Sequence, residues 1–99
     1  MSRKSQHSRK SEIDMKSYEY RIGQNIRRIR LMSLELGQIQ EADSALRVSR
    51  AYYWRIENGL SSISLATLRQ LAKIFGVPIT DFFIDENGKH IPLDAEETD

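Results

Sequence analysis

Along most of this chain, bulky apolar residues return every three or four positions, the period of a helix that buries one face. Tyr18, Ile22, Ile26 and Ile29 mark such a face and predict a first helix over residues 18–32. Gly23 lies inside it at a cost of about 1 kcal/mol against alanine, which points to close packing. Ile39, Ala42 and Leu46 share one face of a short second helix over residues 38–46. A third helix lies between Ser49, whose side chain can accept from the open amides of a first turn, and Asn58-Gly59, which suits a left-handed exit. Leu65, Leu68, Leu71, Ala72 and Phe75 form the face of a fourth, with Ser64 as its cap and Gly76 at its end. Pro78 suits the first turn of a helix, so residues 78–83 predict a short fifth one that brings Ile79, Phe82 and Phe83 to the core.

The third helix is the most informative. With about 100° per residue and Arg50 at zero, Ala51, Trp54, Arg55 and Asn58 fall within an arc of about 140°. Tyr53 and Ile56 fall opposite and are core positions, while Tyr52 is either the edge of the core or a phosphate donor. One side of the helix is therefore buried and the other offers two arginines. A short capped helix with a basic outer face has the shape and charge to enter a DNA major groove.

The flanks differ from this middle. Residues 1–17 are rich in Ser, Lys and Arg and read as a disordered basic arm. Arg3, Lys4, Arg9 and Lys10 either track DNA phosphates or simply solvate a tail. Residues 18–83 form the helical domain, and residues 84–99 a candidate hairpin with an acidic tail. Asn87-Gly88 between short flanks is a strong local hairpin signal. Two strands alone are marginal in water, so residues 84–91 must pack on this domain or pair with a second copy. The second is expected here, with Phe82, Phe83, Ile84 and Ile91 forming a dimer interface near the fifth helix of a second chain, and a hairpin folded back on its own domain is the rival.

Composition narrows the class. Ninety-nine residues, 39% of them hydrophobic, make one small all-α domain with tails. The net charge of +1 hides an asymmetry: residues 1–60 carry 12 Lys and Arg against 7 Asp and Glu, and residues 61–99 carry 3 against 7. The basic half holds the capped third helix, as a nucleic-acid binder would have it. The chain has no cysteine and no apolar run near the roughly 20 residues that span a membrane, so a cytoplasmic, nucleoid-associated protein is expected. His7 and His90 stand without a second ligand at metal spacing, and neither metal nor cofactor is assigned. Among the familiar enzyme motifs there is no Gly-rich phosphate loop, nucleophile–base pair or zinc-protease helix, so no enzyme is expected.

Ile22-Gly23, Ile26-Arg27-Arg28-Ile29-Arg30, Leu46, Val48-Ser49-Arg50, Arg55-Ile56-Glu57-Asn58-Gly59, Ser64-Leu65, Thr67-Leu68, Ala72-Lys73 and Phe75-Gly76-Val77 together resemble the XRE family, the Cro and phage-repressor type of helix-turn-helix domain. The resemblance spans residues 22–83. It implies a five-helix, lambda-repressor-like fold and a homodimeric transcriptional regulator, such as a repressor, on a pseudo-palindromic operator in double-stranded DNA. It places Arg50, Ala51, Trp54 and Arg55 at base edges. It puts Ser49, Asn58, Ser61 and Ser62 near phosphates, together with Gln38 and Gln40, which flank the family's helix 2 glutamine position; Tyr52, on the edge of the core, is the further phosphate candidate. It also implies that Arg30 and Glu57 meet as a structural pair.

The chain departs from that family in three places. Asp43 stands where a small alanine is usual at the contact of the second and third helices. Arg47 replaces the glycine of the turn, and Ile39 replaces the glutamine that opens the second helix. Residues 31–37 also exceed the common spacing. Asp43 and Arg47, four apart, are placed to pair. These changes keep a second reading open: a protein-interaction module, such as an antitoxin, that holds an unknown partner through its acidic C-terminal region, Asp81 to Asp99.

Overall fold

Three of the four helices begin where a serine hydroxyl closes an open amide of the first turn, and the sequence supplies that serine each time. In the computed structural model, which describes residues 13–33 and 35–92, the four are α1 (Tyr18–Leu31), α2 (Ile39–Leu46), α3 (Arg50–Glu57) and α4 (Leu65–Phe75), followed by a 3-10 turn, Ile79–Phe83. The Ser17 hydroxyl accepts from the Tyr20 amide at 3.0 Å, that of Ser49 from Tyr52 at 3.0 Å and that of Ser64 from Thr67 at 3.1 Å. At α2 the Gln38 amide donates back to the Glu41 carboxylate at 3.1 Å.

Three of the helices end alike. Arg47, Gly59 and Gly76 adopt φ of 65°, 73° and 71°, and paired amide bonds return to the last turn, Val48 to the Asp43 carbonyl, Leu60 to Arg55 and Val77 to Ala72. This is the Schellman closure, for which glycine is the usual residue. Arg47 takes the same left-handed conformation with a side chain attached, at a cost of about 1–2 kcal/mol.

The core is built from one face of each element: Ile22, Ile26 and Ile29 of α1, Ala42 and Leu46 of α2, Tyr53 and Ile56 of α3, and Leu68, Leu71 and Ala72 of α4, completed by Phe82 and Ile91. Tyr53, Phe82, Ile26 and Leu71 are its largest fully buried side chains, each stabilising the fold by about 1.5–3 kcal/mol relative to exposure. Helix α1 packs on α3 and on the 3-10 turn, and α2 on α3 and α4. The architecture is all-α, with no strand among the described residues.

The C-terminal elements differ from the sequence expectation in three respects. The fifth helix is a five-residue 3-10 turn that starts at Ile79, with Pro78 before it as the cap. The hairpin contracts to one antiparallel bridge, Ile84 with His90, around a turn in which the Asp85 carboxylate accepts from the amides of Asn87 at 2.8 Å and Lys89 at 2.9 Å. The bonds from Lys89 and then Asn87 hold that carboxyl below its ordinary range. The turn also folds back on its own domain. The Asn25 amide donates to the Phe82 carbonyl at 2.8 Å, the Arg28 guanidinium to the Ile84 carbonyl at 3.3 Å and the Ile91 amide to the Phe83 carbonyl at 3.0 Å. Phe82 and Ile91, at 0% and 9% exposure, are therefore core residues of this chain and present no face to a second one. Phe83 and Ile84 remain half-buried.

The basic arm lies mostly outside the described residues, as does the tail from residue 93. Of residues 13–17, Asp14 forms a turn that accepts from Lys16 and Ser17 and leads into the cap of α1.

Candidate nucleic-acid interface

The inner side of α3 is fixed before its outer side can act. Arg30, at the end of α1, meets Glu57, at the end of α3, through two parallel bonds, Nε to Oε2 at 2.7 Å and Nη2 to Oε1 at 3.0 Å. Its Nη1 donates to the Gly37 carbonyl, which ties in the long connection before α2. Both side chains are buried, and the paired carboxylate raises the Arg30 pKa further. The pair implied by the resemblance is thus formed, and it joins α1, α3 and the α1–α2 connection. Gln24 adds a bond to the Glu57 carbonyl at 2.9 Å.

Tyr53 lies against this pair with its hydroxyl buried and without a hydrogen-bond partner. Burial first, and then the Glu57 carboxylate, push its pKa well above the ordinary 10.0. A pKa raised on folding stabilises fully below the unfolded value and progressively less above it. Tyr53→Phe is therefore expected to keep or raise stability at pH 7, by up to about 1 kcal/mol. It should also lose less than the wild type above pH of about 10. Urea unfolding at both pH values checks this, and an unchanged alkaline loss would count against a buried protonated Tyr53.

On the outer side the expected arc is open to solvent. Arg50, Ala51, Trp54 and Arg55 are all exposed, Trp54 at 45%, while Tyr53 and Ile56 are buried. Arg55 does not float free. Its Nε donates to the Ser61 hydroxyl at 3.1 Å and its guanidinium lies 5.8 Å from the centre of the Tyr52 ring. Ser61 and Tyr52, half-buried, thus brace Arg55 along the edge of the face. Asn58 is half-buried, and its side chain donates to the Trp54 carbonyl at 2.9 Å, reinforcing the helix end. Ser49 spends its acceptor on the cap and keeps its hydroxyl proton to donate. Gln38, Gln40 and Ser62 are exposed.

The α2–α3 corner corrects one expectation. Asp43 pairs not with Arg47 but with Arg50, Oδ2 to Nε at 3.4 Å. The left-handed backbone at Arg47 closes α2, whereas Arg50 stands at the head of the next helix. Spacing along one helix could not disclose a pair made across a turn. Nor did sequence periodicity single out Asn25, whose buried amide secures the C-terminal turn through a backbone carbonyl.

Two helices joined by a tight turn, the second bearing an exposed basic face, define a helix-turn-helix unit. The Helix-turn-helix family matches the chain over residues 26–82, more than half of its length, and the chain belongs to this family in its XRE form. It is a helix-turn-helix protein of the DNA-binding regulator class. Among the curated proteins and the solved structures, none matches the chain. Among the described residues, no helix is long and apolar enough to cross a membrane.

Proposed function

We propose that the protein is a sequence-specific transcriptional regulator that binds double-stranded DNA as a homodimer on a pseudo-palindromic operator, within the cytoplasm and on the nucleoid. The observation that carries this reading is the two-sided fixation of α3: a buried ion pair locks its inner side while Arg50, Ala51, Trp54 and Arg55 stand exposed together on the outer side. In the major groove, Arg50 and Arg55 would donate to guanine O6 and N7, and Trp54 would lie against thymine methyls. The Ser49, Tyr52 and Ser62 hydroxyls and the Gln38 and Gln40 amides would hold phosphates, which set register and affinity but carry no sequence information. Asn58 and Ser61 support that edge, Ser61 by bracing Arg55. Two copies spaced by about one helical turn of DNA, ~34–36 Å, would read two half-sites. Occupancy of a promoter would then repress it.

Arg50→Ala and Arg55→Ala are each expected to cost about 1–3 kcal/mol of discrimination; the melting temperature should be unchanged in Arg55→Ala and lower in Arg50→Ala, which leaves the buried Asp43 carboxylate without its answering charge. The measurement is equilibrium binding to DNA enriched from a random-sequence pool by the wild-type protein, with Lys89→Ala on the C-terminal turn as the charge-matched control. Wild-type affinity and selectivity in both arginine variants would remove α3 from the interface.

A further inference from the structure

We infer that Asp43 is a specificity-determining residue that acts through Arg50, holding its guanidinium in the orientation that reads a base; this rests on the DNA reading above. Asp43 sits where α2 meets α3, its side chain only 8% exposed. Its Oδ1 accepts from the Ser44 hydroxyl at 3.3 Å, while its Oδ2 is buried without a hydrogen-bond partner. A carboxylate withdrawn from water is costly unless a charge answers it. The charge that answers here is Arg50, whose side chain is 66% exposed, at 3.4 Å through Nε. As a contribution to folding, the arrangement is poor, because the cation keeps most of its water. As a positioning device it is effective. Unrestrained, an exposed arginine at the first position of a helix samples many rotamers, and ordering it on DNA weakens binding. Drawn by charge toward a carboxylate anchored in the fold, with Nε 3.4 Å from Oδ2 and no hydrogen bond between them, it leaves Nη1 and Nη2 for the two-pronged contact with guanine. The same carboxylate repels phosphates, so it favours a base contact over an indiscriminate backbone one.

The two roles predict opposite results for Asp43→Ala. A small residue fits the α2–α3 contact and deletes the buried, unpartnered oxygen, so the variant should melt at or above the wild-type temperature. Its preference at one base position should fall about tenfold, and that position should be the one lost in Arg50→Ala. Affinity for non-specific DNA should hold or rise, because a negative charge has left the face. The experiment selects bound duplexes from a random-sequence pool with four full-length proteins: wild type, Asp43→Ala, Arg50→Ala and the double variant. In the expected result the double variant loses no more selectivity than Arg50→Ala alone. Should Asp43→Ala fail to fold, Asp43→Asn removes the charge at constant volume and is read in the same way. The inference is overturned if Asp43→Ala keeps the wild-type preference, or if it weakens every position equally along with stability. If the wild type itself selects no sequence, the DNA reading falls and takes this inference with it. If the wild type selects through Arg50 but indifferently to residue 43, the DNA reading stands alone.

Discussion

Arg30→Ala is expected to cost about 3–5 kcal/mol of folding stability, the penalty for leaving a buried partner charge unanswered. Small domains hold only about 5–15 kcal/mol in total, so this is a large share of the whole. At about 4–8 °C per kcal/mol, the melting temperature should drop by roughly 12 °C or more. Three features raise the cost above that of a surface pair, worth about 0–1 kcal/mol. The geometry is two-pronged, at 2.7 and 3.0 Å. Glu57 would be left buried beside the unpartnered Tyr53 hydroxyl. The Gly37 carbonyl would lose its donor as well. Arg30→Lys should recover little, because an ammonium cannot supply the planar fork. DNA affinity should fall with stability, since α3 loses its anchor. A thermal melt of the free protein separates the roles: a native melt with selectively weaker DNA binding would make Arg30 a phosphate contact instead.

What the chain discloses without a structure follows from how local each signal is. The caps at Ser49 and Ser64 and the exits at Gly59 and Gly76 are properties of a few adjacent residues, and all four are found where the sequence places them. The buried face of α3 follows from a helical period, so Tyr53 and Ile56 fall inward and Arg50, Trp54 and Arg55 outward as read. The Arg30–Glu57 pair is not local, and it became legible only through the family resemblance. Interactions that join a side chain to a distant backbone carbonyl left no pattern to read. Asn25 with the Phe82 carbonyl is one case, and it decides that Phe82 closes this chain's own core rather than facing another. The Asn87-Gly88 turn was legible as a turn. Its strands were too short for periodicity to show which surface they cover. Asp43 looked like a simple departure from the family because its partner lies across the α2–α3 turn.

Gly23→Ala sets two effects of opposite sign against each other, and the distances decide between them. By helix propensity alone, alanine inside α1 should stabilise by about 1 kcal/mol. A Cβ on residue 23, however, would lie 2.4 Å from the Ile56 carbonyl oxygen and 2.5 Å from that of Glu57. Both atoms are backbone of α3 and cannot swing aside as a side chain can. Relief requires α1 and α3 to part until the contact exceeds 3.0 Å. The same displacement pulls on the Gln24 bond to the Glu57 carbonyl, 2.9 Å long, and on the Arg30–Glu57 fork in the same seam. Overpacking of this kind costs about 1–3 kcal/mol and at times more, so the clash outweighs the propensity gain and the variant is destabilised. Gly76→Ala provides the internal comparison. There a Cβ meets nothing within 4 Å, and only the positive φ of 71° is penalised, at about 1–2 kcal/mol. Thermal and urea unfolding of both variants should show each below the wild type. Gly23→Ala alone should also perturb the α3 face, lowering DNA affinity beyond what its unfolded fraction explains. A Gly23→Ala protein that melts at or above the wild-type temperature would mean that propensity governs this position and that α1 and α3 do not approach each other closely.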